Sequence, residues 1–224
     1  IYSSLNCGNG SRDNKRNISK NLAHISRKIN VDFKKLILMN QTHSNKVILV
    51  NDKNKNFKKF NSDAIITRIK GLALGVLTAD CVPIILYDFE NEIIACIHAG
   101  WKGASSGIIE NTLSKFRKLN LNNKIYACIG PCIGRKSYEV NLPFYNNFIS
   151  ISKKNKKYFI KKNNFKKNFD LRKYVNDKLI DQNVKVDHVR HDTFIEKNNF
   201  FSYRRSQKLC ENDYGRCISA ISLI

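Results

Sequence analysis

Residues 63 to 103 read DAIITRIKGLALGVLTADCVPIILYDFENEIIACIHAGWKG, and the fold turns on this stretch. Two apolar runs, Leu72 to Thr78 and Val82 to Tyr87, flank Ala79-Asp80-Cys81, and a third, Ile93 to Ile97, ends on His98-Ala99-Gly100-Trp101. Short apolar runs bounded by Gly, Pro and charged residues predict buried strands. The polar residues then stand at strand ends, where a rigid frame holds reactive side chains open to a ligand. Cys81 and His98 are the first candidates.

Upstream, residues 1 to 14 read as an extended lead-in with turns. Ile18, Leu22, Ile25 and Ile29 fall at helical spacing and predict an amphipathic helix, with His24 off its apolar stripe and on the surface. Leu36 to Met39 and Val47 to Val50 predict strands, and the polar connection between them carries His43, a second histidine at a strand end. Asp80, beside Cys81 but on the other face of a strand, would orient His43 or simply end the strand. Lys53 to Lys59 reads as a solvated loop.

Downstream, Gly100 and Gly103 lead through Ser105 and Ser106 into a helix with Ile108, Ile109, Leu113 and Phe116 on one face. A Gly-rich turn opening a helix leaves backbone N–H groups free for an anion, which makes Gly100 and Ser105 candidate phosphate holders; an ordinary cap is the alternative. Ile125 to Ile129 predicts a strand and Pro143 to Ile151 a helix. Lys153 to Asn168 is basic and poorly patterned, so a mobile surface segment is expected there. Asp170 suits the N-cap of a helix with Leu171, Tyr174, Val175 and Leu179 on its face. Val184 to Val189 and Ile218 to Leu223 close the chain as strands. No internal repeat occurs. The pattern predicts an α+β fold (mixed α/β), a single domain over residues 1 to 224 with mixed β-sheets flanked by helices.

Composition agrees: 224 residues, 42% hydrophobic, suit one domain with a substantial core. A formal net charge of +22 invites a polyanion as partner. The lysines, however, are interleaved with Asn, Ile and Phe along the whole chain, as in FIKKNNFKKNF, which favours compositional drift over a dedicated nucleic-acid face. Nucleic acid is therefore not expected as a partner. Seven cysteines, an odd number without a CxxC pair, argue against a secreted disulfide scaffold and for a reducing cytoplasm. No apolar stretch reaches 18 residues, so no membrane span is expected. The chain opens on Ile1 without a signal-peptide pattern, and its natural beginning is expected to lie upstream.

His43, Cys81 and His98 offer two imidazoles and a thiolate, a set suited to zinc with a fourth position left for water or substrate. The same atoms suit a cysteine hydrolase, with Cys81 as nucleophile and His98 as base. A buried structural thiol and a core imidazole satisfied by a carbonyl would explain them equally. Arg204, Arg205 and Arg216 are candidate clamps for phosphate or carboxylate, with surface ion pairs as the alternative.

Several motifs in order carry a resemblance: YSSLNCG near the start, NQTHSNKV, DAIITRIKGLALGVLTADCVPIILYD, IHAGWKG, CIGPCIGRKSYEV, FFSYRRS and DYGRCISAISL. Over nearly its whole length the chain resembles the bacterial family known both as laccase-domain or multicopper polyphenol oxidases and as purine nucleoside phosphorylases. The resemblance implies a cytoplasmic zinc protein whose metal ligands fall on His43, Cys81 and His98. It also implies phosphorolysis of adenosine, inosine, guanosine and methylthioadenosine, together with adenosine deamination. Purine nucleosides and phosphate are the partners it implies. Ser44 and Ser206 stand where the family carries Gly and Asp, and a longer insert precedes Gly215, departures that bear on the pocket rim. Copper oxidation of phenols is the rival cofactor chemistry, but it needs an electron-transfer copper and a multinuclear oxygen site built largely from His. The chain has 5 His and 1 Met. A basic polyanion-binding module is the rival outside enzymology, supported locally by the aromatic and basic residues of Tyr158 to Phe169.

Overall fold

The computed structural model describes residues 1–3, 5–54, 60–119 and 124–224. The first half of the chain forms α1 (Lys15–Lys28), β1 (Leu36–Asn40), β2 (Val47–Val50), β3 (Phe60–Asn61), β4 (Ala64–Thr67), β5 (Leu72–Thr78), β6 (Val82–Asp88), β7 (Ile93–Ala99), α2 (Trp101–Ser105) and α3 (Ile108–Arg117). The second half adds β8 (Tyr126–Ile129), β9 (Glu139–Asn141), α4 (Leu142–Ile151), β10 (Phe159–Lys161), β11 (Lys166–Phe169), α5 (Leu171–Ile180), β12 (Lys185–His188), α6 (Tyr203–Lys208) and β13 (Cys217–Leu223).

These strands make a mixed six-stranded sheet in the order β12-β8-β6-β7-β4-β2, a mixed four-stranded sheet in the order β13-β5-β1-β3 and a small antiparallel sheet β10-β11-β9. The apolar runs explain the layering. In β7 the side chains alternate between faces: Ile94 and Cys96 join Ile37, Met39, Leu74 and Val76 in a core between the two large sheets. Ile93, Ala95 and Ile97 face the opposite way, onto a core completed by Ile108, Leu113 and Phe116 of α3 and Leu171, Val175 and Leu179 of α5. A strand buried on both faces reads as a continuous apolar run. Ile18 and Leu22 of α1 cover the outer face of the four-stranded sheet, against Leu36, Leu38, Leu77 and Ile218. The α+β architecture expected from the sequence is the one observed, and its strands follow the apolar runs.

Two expectations need correction. Lys153 to Asn168 is ordered structure, a 3-10 helix (Lys153–Tyr158) followed by β10 and β11. Its spaced aromatics anchor it: Phe159 and Phe169 stack at 4.8 Å, and Phe169 meets Phe148 of α4 at 4.8 Å. The lysines between them point outward, where Lys162 and Lys166 both grip Glu139. The Gly100 to Ser106 turn is itself a helix, α2, with Gly100 at its N-cap. The solvated loop expected at Lys53 to Lys59 lies outside the described residues from position 55 onward. No helix among the described residues is long and apolar enough to cross a membrane.

Candidate metal centre

Strand register brings the three candidates together. β6 and β7 run antiparallel with Val82 opposite Ala99, so Cys81, one residue before β6, comes beside Gly100, one residue after β7. The imidazole of His98 projects from β7 at 3% exposure. His43 reaches in from the loop between β1 and β2, at φ +58, a left-handed conformation that a side-chain-bearing residue adopts only when held there. One donor atom from each of His43, Cys81 and His98 lies within 4.8 Å of the other two. Nε2 of His43 is 3.8 Å from the Cys81 sulfur, and the two imidazole rings meet edge to face at 4.7 Å. Gly100 must be bare at this point: a Cβ would sit 2.9 Å from His43 Cδ2 and 3.0 Å from the sulfur.

Behind the histidines lies Asp63, which the sequence reading missed. β4 pairs with β7 so that Ala64 faces Ile97, which sets Asp63 against His98. The Asp63 carboxylate, fully buried, accepts from His98 Nδ1 at 2.8 Å, from the backbone N–H of His43 at 2.9 Å and from that of Ser44 at 2.7 Å. Burial opposes its ionisation, but these donors outweigh burial and hold it well below the usual carboxylate range. Burial likewise opposes ionisation of Cys81, yet the charge and hydrogen bonding of His98 and His43 bring the thiol down to about 6. For His98, burial disfavours the proton, while Cys81 and Asp63 draw it on and raise the imidazole to about 9. Two imidazoles, one of them backed by a carboxylate, and a thiol biased toward thiolate are what a metal ion requires of its ligands. The residues fit such an ion.

Asp80 does not orient His43. It turns at φ +84 and accepts from Thr193 Oγ1 at 2.7 Å, Ser202 Oγ at 2.9 Å and the Arg204 N–H at 2.6 Å, tying the C-terminal segments to the residue next to Cys81. Two cavities open beside the trio and share His43, Ala79, Cys81 and Tyr214. One, of ≈ 420 Å³, reaches His98, Gln41 and Arg216. The other, of ≈ 500 Å³, has aromatic walls in Trp101, Tyr138 and Tyr203 and two cations, Lys102 and Arg204.

The remaining candidates divide. Arg204 reaches the aromatic cavity with its guanidinium over the Tyr138 ring at 5.2 Å and one nitrogen on the Glu139 carbonyl at 2.5 Å. Arg216 lies over the Tyr214 ring at 4.0 Å. Arg205 is turned away and donates to the carbonyls of Thr193, Phe194 and Phe200. Ser105 bonds back to the Lys102 carbonyl at 3.0 Å, within its own helix. Besides Asp63, the aromatic wall escaped the sequence reading, because Trp101, Tyr138, Tyr203 and Tyr214 lie in four separate segments; only the proximity of Trp101 and Lys102 to His98 hinted at it.

Comparison with known proteins places these features in context. The family described as multi-copper polyphenol oxidoreductase laccase matches residues 1–224. The purine nucleoside phosphorylase of Rickettsia prowazekii is 35% identical, over 83% of this chain and 77% of that protein. That of Haemophilus influenzae is 30% identical over 98% of this chain and 87% of that protein. The crystal structure of the hypothetical protein YfiH of Bacillus licheniformis superposes with a TM-score of 0.88 at 25% identity, covering 99% of this chain and 86% of that one.

Proposed function

We propose a function from one premise: the chain belongs to the multi-copper polyphenol oxidoreductase laccase family, and its relatives include proteins named purine nucleoside phosphorylase. We infer that it is a zinc-dependent purine nucleoside phosphorylase acting on adenosine, inosine, guanosine and methylthioadenosine, with adenosine deaminase activity, and that His43, Cys81 and His98 are its metal ligands. The observation that carries this reading is the convergence of the three donors beside two cavities, with His43 and Cys81 on the wall that both share and His98 lining one of them.

Bound there, zinc would supply a Lewis acid with a position left for water or substrate, the chemistry that hydrolytic deamination of a purine uses. The chain's own residues do the rest. Trp101, Tyr138, Tyr203 and Tyr214 offer ring faces for a purine base and keep water from it. Lys102 and Arg204 give the same cavity positive charge, and Arg216 does so next door, which suits phosphate. Arg204 is held for that task by the Tyr138 ring beneath it and by the Glu139 carbonyl. Asp63, an acceptor only, holds the Nδ1 proton of His98, so that Nε2 is the nitrogen His98 would offer a metal in exchange for its own proton.

Copper chemistry of the laccase type finds no support in the ligands. Of the five histidines, His24 lies exposed on α1, and His188 and His191 line a different cavity, with Arg172 and Arg190. A second reading, a cysteine hydrolase, draws on one observation: a thiol brought down to about 6 beside an imidazole raised to about 9 resembles an activated nucleophile with its base. The purified protein incubated with inosine, with and without phosphate, separates the readings. Phosphorolysis predicts hypoxanthine and ribose 1-phosphate only when phosphate is present; release of the base without phosphate, or no release, contradicts it.

A further inference from the structure

Three successive backbone N–H groups, those of Thr42, His43 and Ser44, converge on the Asp63 carboxylate at 3.2, 2.9 and 2.7 Å. Such a run of N–H groups makes a nest for an anion, and here the anion is a buried side chain of the protein itself. The Ser44 hydroxyl adds a bond at 2.7 Å. Oδ1, the oxygen that takes the His43 N–H, also takes His98 Nδ1 at 2.8 Å. One carboxylate therefore touches both histidine-bearing segments, the loop between β1 and β2 and strand β7.

We infer that Asp63 is the positioning residue of the metal centre: its carboxylate holds the His43 loop in its left-handed turn and fixes the tautomer of His98. Two consequences follow from the geometry. With Nδ1 committed to a carboxylate that can only accept, His98 has Nε2 as its ligand atom. With the loop pinned at φ +58, His43 directs Nε2 toward the Cys81 sulfur, 3.8 Å away. Without the carboxylate, three half-buried N–H groups would lose their acceptor and the loop a tie that holds it in a conformation uncommon for a non-glycine residue. The donor atoms would no longer be pre-arranged. A carboxylate behind a ligating imidazole also raises its basicity, and removing such a partner costs metal affinity about 10–100-fold.

The inference rests on the reading of the trio as metal ligands, and its test is separable from the activity. Metal-stripped protein is titrated with zinc against a chromophoric chelator, in wild type, Asp63→Asn, Ser44→Ala and, as a control for loss of a buried acid, Asp88→Asn at the far end of β6, where the carboxylate accepts from the backbone and side-chain N–H groups of Asn91. Asp63→Asn is expected to weaken zinc about 10–100-fold, Ser44→Ala to weaken it less, and Asp88→Asn to leave it unchanged. Cobalt(II) in place of zinc reads the ligand geometry: the Cys81 thiolate band should persist in Asp63→Asn while the ligand-field bands change. Wild-type affinity and cobalt spectrum in folded Asp63→Asn overturn the inference, as does an equal loss in Asp88→Asn. Should Asp63→Asn fail to fold, Ser44→Ala and Asp63→Glu decide, and wild-type affinity in both overturns it. A wild type that binds no zinc overturns the metal reading and this inference together. A wild type that binds zinc but releases no purine base sinks only the phosphorylase.

Discussion

At the scale of single residues, Cys81 shows what the metal would change. Without metal its thiol stands at about 6, below the ordinary thiol, because the attraction of His98 and His43 exceeds the opposing effect of burial. It is protonated and unreactive below that pH and a thiolate above it. In chelator-treated protein, labelling of Cys81 by iodoacetamide should therefore rise as pH passes through about 6 and then level off. Cys7 and Cys132, each pushed up to about 12 by burial, should remain unlabelled over the same range. Zinc should protect Cys81, since a coordinated sulfur has its lone pairs engaged. Peptide mass spectrometry reads all three sites; rapid labelling of the zinc-loaded protein would return Cys81 to the role of nucleophile. Cys81→Ala should abolish zinc retention, checked by elemental analysis. The three candidate ligands were legible in sequence because each stands where an apolar run meets a polar turn. Asp63 was not, since a carboxylate before a strand looks like a turn residue, and its partner stands 35 positions away, visible only through the β4–β7 register.

At the scale of elements, two junctions hold the site. The first is where β7 passes into α2. Gly100 has φ −71, which alanine adopts freely, so Gly100→Ala probes contact alone. Its methyl group would press on His43 and Cys81 at 2.9 and 3.0 Å. Overpacking of this kind costs about 1–3 kcal/mol, and zinc affinity measured by chelator competition should fall by about tenfold or more. The second junction is Asp80, which receives Thr193, Ser202 and the α6 N-terminal N–H of Arg204. Asp80→Ala strands these donors in a buried position and should lower stability by about 2–4 kcal/mol in urea unfolding. A change below about 0.5 kcal/mol would show that the latch carries no load. Strands such as β5, β6 and β7 were readable from their apolar runs because both of their faces are buried. The order within Lys153 to Asn168 was not, because its lysines mask a period of aromatics whose partners, Phe144, Phe148 and Tyr174, come from α4 and α5.

At the scale of the whole molecule, the charge and the cavities make opposite suggestions about partners. A formal net charge of +22 draws any polyanion. Its lysines are spent widely, as where Lys157 and Lys173 serve Asp177 and Lys162 and Lys166 serve Glu139. Binding to labelled RNA should accordingly be electrostatic and collapse between about 50 and 200 mM salt, through counterion release. Sequence-selective binding that persists at the higher salt would contradict this. The cavities, small and concave, suit a nucleoside instead, and they sit where the six-stranded and four-stranded sheets both end at the same three donors. The central claim is that these donors make one metal-dependent site for phosphorolysis. The most direct measurement is the conversion of inosine to hypoxanthine and ribose 1-phosphate, in the presence of phosphate, by zinc-loaded protein, chelator-stripped protein, stripped protein with zinc restored, and Cys81→Ala. Activity in the first and third and none in the second and fourth is the predicted result. Undiminished phosphorolysis in the stripped protein or in Cys81→Ala would contradict it.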